Sequence, residues 1–274
     1  MLYSALGRTL IASLTLAGLC LPVQALEVPK PASGKAVKGH KAAPHEEDPH
    51  HWSYQGVKTG PNEWGMMNPA YSLCREGKAQ SPVNITSATP QQLESLKFSY
   101  GLSKLQLINN GHTIQVNIDP GSFLEAFGDK FELKQFHFHT PSEEQIRGKH
   151  YAMVAHLVHK NAEGALAVVA VLFQPGREHG LIDTLFSRLP SEHGESRIYE
   201  ERMISPASLL PERLNYYTLM GSLTTPPCSE GVRWIILKQP VDMSSAQLTQ
   251  FRRHFPMNAR PVQPLNGRMV FEAM

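Results

Sequence analysis

The tetrapeptide Phe136-His137-Phe138-His139 leaves its side chains few useful arrangements. In an extended strand successive side chains alternate, so both imidazoles share one face and both phenyl rings share the other. The phenyl face belongs in a core, and the imidazole pair can grip one metal ion. Seventeen residues after His139 comes His156, inside the apolar run Met153-Val154-Ala155-His156-Leu157-Val158. The intervening Thr140–His150 carries Pro, Gly and charges, so the two strands can be antiparallel neighbours and His156 can face the same pocket. His159 is an odd number of steps further on and is expected on the opposite face. Three neutral imidazoles leave a divalent cation its full charge and an open position, the arrangement of a catalytic rather than a structural metal site. Spacing alone does not choose among zinc, iron and copper.

Strand signals dominate the rest of the chain. Lys104–Ile108 and Thr113–Ile118 alternate around Asn109-Asn110-Gly111, and Asn-Gly is a strong hairpin signal. Phe131–His139 alternates again. Ala152–His159, Ala165–Phe173 and Gly231–Lys238 are apolar runs, the second apolar on both faces and so central. Helix signals are few. Leu181, Ile182, Leu185, Phe186 and Leu189 recur at helical spacing, and Ser244-Ser245-Ala246-Gln247 fits a capping box before Leu248 and Phe251. The expected class is mostly β with short peripheral helices (α+β), built on a large sheet. A chain of 274 residues with 41% hydrophobic and 18% charged composition is ordinarily globular. Its formal charge of +2 is too weak to suggest a nucleic-acid partner. Composition stays globular from His51 onward without a repeat or second linker, so one domain is expected over 51–274.

The first 50 residues differ. Arg8 is followed by an almost wholly apolar run, Leu10 to Leu21, then Pro22 and Val23-Gln24-Ala25. This is the layout of a secretory signal over 1–25, cut after Ala25 and too short to span a bilayer. No later stretch approaches a transmembrane run. Residues 26–50 are rich in Pro, Ala, Lys and Gly without apolar period, so a disordered linker is expected there. Its histidines, with His40 and His45 inside it and His50 at its edge, are expected to be solvated. Export places the chain in the periplasm, with full secretion the second choice. Cys20 leaves with the signal. Cys74 and Cys228 then read as one disulfide in an oxidising compartment, the alternative being two buried free thiols.

Six segments in order carry a resemblance to a known family. They are Gln80-Ser81-Pro82-Val83-Asn84-Ile85, Asn109-Asn110-Gly111-His112, Gln135-Phe136-His137-Phe138-His139, His156-Leu157-Val158-His159, Ser222-Leu223-Thr224-Thr225-Pro226-Pro227-Cys228 and Arg260-Pro261-Val262-Gln263-Pro264-Leu265. From His51 to about Phe271 the chain resembles alpha-class carbonic anhydrases of the bacterial exported type. The resemblance implies a central, mostly antiparallel twisted sheet of about ten strands and a zinc cofactor. The implied activity is reversible hydration of carbon dioxide to bicarbonate by zinc-bound hydroxide. The expected partners are CO₂, water and bicarbonate, and the expected assembly is a monomer or homodimer.

Position by position, the resemblance implies that His137, His139 and His156 are zinc ligands. Thr224 would orient the nucleophile and pass its own proton to Glu143. His112, which alone reads as a hairpin-end residue, would shuttle protons to solvent, with Tyr54 and Asn110 holding the water bridge. Val158, Val168, Leu223, Thr225 and Trp234 would line the substrate pocket; CO₂ offers little for polar groups to hold. Gln135 would orient His137, and the backbone carbonyl of Asn258 would orient His139. Cys74 and Cys228 match the family's disulfide in bacterial members.

Two positions depart from the family pattern. A glutamate is usual two residues before the third histidine, on the same strand face; here it is Val154. His or Asn is usual after the Glu143 position; here it is Glu144. The expectation is that His156 uses water or a neighbouring side chain instead, and that Val154→Glu strengthens zinc retention. The competing possibilities are a carbonic-anhydrase-like binding module without catalysis and a periplasmic zinc store.

Overall fold

The Phe/His alternation and its neighbours do form adjacent strands. The computed structural model describes residues 37–38 and 51–274. The expected signal segment and its cleavage site, and all of the expected linker except Val37–Lys38, lie outside the described residues. Among the described residues, Asp129–His139 pairs antiparallel with Met153–Lys160, which pairs antiparallel with Leu166–Pro175. The hairpin expected at Asn109-Asn110-Gly111 joins Ser103–Asn109 to Ile114–Asn117, and the latter pairs with Asp129–His139. Leu166–Pro175 then meets Glu230–Leu237 in parallel, and Tyr216–Ser222 follows antiparallel. The main sheet has 14 strands among the described residues, where about ten were expected. The excess is short edge pieces such as Thr89–Gln91 and Phe271–Ala273. The chain is mostly β, as expected, with short helices against one face.

The two faces of the central strands divide the core. Phe136 and Phe138 are fully buried and pack on one side with Leu157, Val169, Phe186 and Phe251. The helices Gly180–Phe186 and Ser245–Arg252 cover that side, with Phe138 edge-on to both Phe186 and Phe251. Burying each large apolar side chain there is worth roughly 1.5–3 kcal/mol. The capping box forms: Ser244 accepts from the Gln247 backbone N–H, and Gln247 accepts from that of Ser244. On the opposite face Val154, Val168, Ala170, Leu172, Leu219, Trp234 and Ile236 make a second cluster. His159 lies with the first face, as its odd spacing requires, and bonds the Tyr100 hydroxyl at 2.6 Å.

A third cluster gathers Tyr54, Trp64, Cys74 and Cys228, with Trp52 against it. Cys74 and Cys228 are bonded across a sequence separation of 154. For a loop of that length the chain-entropy model gives about 5 kcal/mol, an upper figure, since measured losses are typically about 2–5 kcal/mol. Denaturant unfolding of the reduced protein, or of the Cys74→Ala/Cys228→Ala variant, is expected to show a loss in that range. A midpoint unchanged on reduction would contradict it.

Candidate metal centre and active site

Strand register puts the three histidines together. His137 stands directly opposite His156 across the sheet, and His139 stands opposite Val154. One candidate ligand atom from each of His137, His139 and His156 lies within 4.8 Å of the other two, the only such group of three or more metal-ligating side chains among the described residues.

Each imidazole has one nitrogen held by the protein. His137 Nδ1 lies 2.8 Å from Gln135 Oε1, and His139 Nδ1 lies 2.7 Å from the carbonyl oxygen of Asn258. His156 Nε2 lies 2.9 Å from Glu144 Oε1. Carbonyl and carboxylate oxygens only accept, so the bonded nitrogens carry the protons. The inner nitrogens, Nε2 of His137 and His139 and Nδ1 of His156, are then bare lone pairs. Such outer partners fix the tautomer of a metal-binding histidine and raise its basicity. His139 Nε2 is buried and has no hydrogen-bond partner among the described residues. A buried polar atom left orphaned in this way costs stability unless something binds it, and a cation among three neutral imidazoles supplies that partner.

The electrostatics keep two of these rings neutral. Burial, with the neighbouring His156, lowers His137 to about 3 and holds His139 well below the usual histidine range. Burial also disfavours the charged form of His156, but Glu144 and then Glu143 outweigh it and raise that pKa. Glu143 is fully buried, and burial pushes it up to about 7; His156 and Thr224 pull the other way, and Glu144 adds to the rise. Glu143 Oε1 accepts the backbone N–H of Arg260 at 2.8 Å.

Asn258 does more than hold His139. Its side chain accepts the Thr140 backbone N–H and donates to the carbonyls of Phe138 and His112. Register also aligns Val158, Val168 and Trp234 across three strands, two residues from the His156 row and so on the same face. The Trp234 ring centroid is 4.8 Å from that of His156, and its indole donates to the Ser222 carbonyl. Leu223 packs against the same cluster. Thr225 lies in the turn before the disulfide, its carbonyl accepting from the Cys228 N–H. Gly221 is required here, because a Cβ on it would meet Ser81 Oγ at 2.1 Å and Trp234 at 2.8 Å.

Residues 59–274 match the family profile of the eukaryotic-type carbonic anhydrases. The chain belongs to the alpha-class carbonic anhydrase family. The carbonic anhydrase of Pectobacterium carotovorum is 45% identical over 221 residues, covering 80% of this chain and 90% of that one. That of Klebsiella pneumoniae is 47% identical over 225 residues, covering 81% and 91%. The alpha-carbonic anhydrase of Thermovibrio ammonificans, solved with the inhibitor sulfanilamide, aligns with a TM-score of 0.77 at 45% identity, covering 81% of this chain and 98% of that chain. Alpha-class carbonic anhydrases are zinc enzymes, and the three-histidine group fits that ion.

The outer parts of this carbonic anhydrase site differ in detail from what sequence suggested. His112 is half-buried, stacked face to face on Trp52 with centroids 3.6 Å apart, and its other neighbour His51 stacks at 4.7 Å. Burial, then His51 and His193, lower its pKa to about 4, away from the near-neutral value expected of a free imidazole. The Asn110 side-chain oxygen accepts the backbone N–H groups of His112 and Thr113, so it holds the turn that presents His112. Tyr54 lies between the two regions, its ring 6.3 Å from both His112 and His139.

Two residues were given no role from the sequence. Glu144 supplies the His156 partner that Val154 cannot; the sequence marked position 144 as a departure and left that partner open between water and a neighbouring side chain. Arg260, only 1% exposed, bonds Gln80, the Ser81 carbonyl and the Cys74 carbonyl through its guanidinium. It sits in a matched family segment, but nothing local announces a buried arginine.

Proposed function

We propose that this chain catalyses the reversible hydration of CO₂ to bicarbonate and a proton, with His137, His139 and His156 holding one zinc ion. The observation that best supports this is the set of three imidazoles whose outer nitrogens are each fixed by an acceptor, so that the inner three turn to one place. Zinc, when bound, supplies a Lewis acid that makes water nucleophilic near neutral pH; carbonic anhydrase is itself the reference case for that chemistry.

The chain's own residues do the rest. Glu143, anchored by the Arg260 backbone N–H, takes the hydroxyl proton of Thr224 into a hydrogen bond. The Thr224 oxygen is then free to accept from the attacking water and to fix its orientation. Val158, Val168, Leu223, Thr225 and Trp234 give CO₂ a mostly apolar seat beside it. His112 carries the released proton outward, leaving its stack on Trp52 to receive it and returning toward His51 and solvent. Tyr54 and the Asn110 turn hold the path in register. A periplasmic location is part of the proposal, supported by the disulfide, and no helix among the described residues is long and apolar enough to cross a membrane.

Metal analysis of the purified chain tests the zinc assignment: one zinc per chain is expected, and several per chain would point to a store instead. The shuttle has its own test. His112→Ala is expected to lower turnover about tenfold or more, below the ~10²–10⁴-fold typical of positioned acid–base groups because buffer substitutes in part. Added imidazole should restore much of it. Unaffected turnover would show that another group carries the proton.

A further inference from the structure

We propose that Glu144 is the positioning residue that sets His156 for metal binding, doing from a neighbouring loop what Val154 cannot do from the histidine's own strand. This rests on the zinc assignment above. Glu144 and His156 are 2% and 1% exposed, and Glu144 Oε1 meets His156 Nε2 at 2.9 Å. The contact fixes the tautomer: Nε2 carries the proton, and Nδ1 turns toward His137 and His139. Val154 is fully buried among Val83, Ile85 and Val168, with no polar atom to offer.

The loop is built to hold Glu144 there. The Ser142 hydroxyl donates to the Glu144 carbonyl at 2.7 Å, and the next residue, Gln145, donates its backbone N–H to Val83. The carboxylate therefore arrives on a tied backbone rather than a free side chain. Its second oxygen, Oε2, is buried with no hydrogen-bond partner among the described residues.

Charge explains why two adjacent acids are tolerated inside. Glu143 and Glu144 are both buried, and among the described residues their ion-pair contacts run to His139 and His156. Buried carboxylates are unfavourable unless compensated. Glu143 also accepts the backbone N–H of buried Arg260, whose charge lies near it, whereas the Glu144 carboxylate meets His156 alone among the described residues. A third carboxylate at position 154 would be buried among apolar side chains, beside a histidine nitrogen that Glu144 already holds. The expectation raised from sequence, that Val154→Glu strengthens zinc retention, is accordingly reversed: the place is already filled.

The test uses the full chain, with zinc affinity measured by competition against a chromophoric chelator and melting temperature measured on the zinc-free forms. Glu144→Ala is expected to weaken zinc binding 10–100-fold, a range known for lost outer-shell partners and drawn in part from carbonic anhydrase itself. Glu144→Gln, which keeps the shape and an acceptor oxygen, is expected to lose less. The melting temperatures of the zinc-free variants should not fall in parallel, which separates positioning from simple structural support. Zinc affinity of Glu144→Ala within twofold of the parent would overturn the proposal. So would tighter binding by Val154→Glu with Glu144 intact. A parent chain that binds no zinc at all would instead overturn the functional assignment on which the proposal stands.

Discussion

Replacing His139 by alanine is expected to weaken zinc binding about 10³-fold and to leave CO₂ hydration near the uncatalysed rate. The three histidines share the whole task of binding, since no other group of metal-ligating side chains lies among the described residues. Structural zinc sites in small peptides bind with about 10–16 kcal/mol in all, which sets the scale. Roughly a third of that, about 4 kcal/mol, corresponds to about 10³-fold in affinity. The remaining two imidazoles also lose the geometry that makes the site catalytic. A second effect follows on the protein side. The Asn258 carbonyl, which accepts from His139 Nδ1 at 2.7 Å, is left buried without its donor. That costs about 1–3 kcal/mol, so the zinc-free variant should also melt below the zinc-free parent. Equilibrium dialysis with metal analysis reads the first effect and denaturant unfolding the second. A His139→Ala chain that keeps stoichiometric zinc through dialysis would contradict the assignment.

The largest stability loss is expected from Arg260→Ala. The guanidinium is buried where its own segment meets the sequence-distant stretch from Cys74 to Ser81. It donates to Gln80 Oε1 at 2.9 Å, to the Ser81 carbonyl at 2.8 Å and to the Cys74 carbonyl at 2.9 Å. Its charge lies 5.6 Å over the Trp64 ring. Burial lowers its pKa to about 10, with Glu143 and Tyr54 opposing, so it stays cationic at neutral pH. Truncation leaves three buried acceptors unpaired and Glu143 without a nearby cation. Breaking a buried charged network of this kind typically costs about 3–5 kcal/mol. For a domain of this size each kcal/mol shifts the melting temperature by about 2–4 °C, so a drop of roughly 10 °C is expected by calorimetry. Arg260→Lys should recover only part, because one ammonium cannot span the three acceptors that the planar fork reaches. A melting temperature within a degree or two of the parent in Arg260→Ala would show that the network contributes little.

Much of this was legible in the sequence, for definite reasons. Period-two alternation identified Phe131–His139, Lys104–Ile108 and Thr113–Ile118, where buried and less buried residues take turns along the strand, while Met153–Lys160 and Leu166–Pro175 showed as apolar runs. The Asn-Asn-Gly turn and the Ser244/Gln247 capping box rest on local backbone chemistry, and both formed at their expected places. What escaped notice lacked such local signatures. Ser196–Ile204 is an exposed strand with a run of charged residues, so it shows no alternation. Thr89–Gln91 and Asn84–Ile85 are too short to show a period at all. The parallel pairing of Leu166–Pro175 with Glu230–Leu237 is a property of chain path rather than of either segment.

The site divides the same way. His137, His139 and His156 were visible because strand register converts spacing into a shared face. Gln135 came from the family resemblance, and the strand sets it two residues from His137, whose Nδ1 it meets. Glu144 was not assigned its role because burial of an acid, and its reach to a histidine 12 residues on, depend on how the Ser142–Gln145 loop is tied down. His112 was placed correctly at the hairpin end. Its stacking on Trp52, and the low pKa that follows, depend on an aromatic cluster gathered from distant parts of the chain.

The most direct test is the rate of CO₂ hydration by the purified protein as isolated, after zinc is stripped by a chelator, and after one equivalent of zinc is returned. Rapid hydration, its loss on stripping and its recovery at one zinc per chain are the predicted results. Hydration that survives complete removal of the metal, or that never appears in the zinc-loaded protein, would contradict the account.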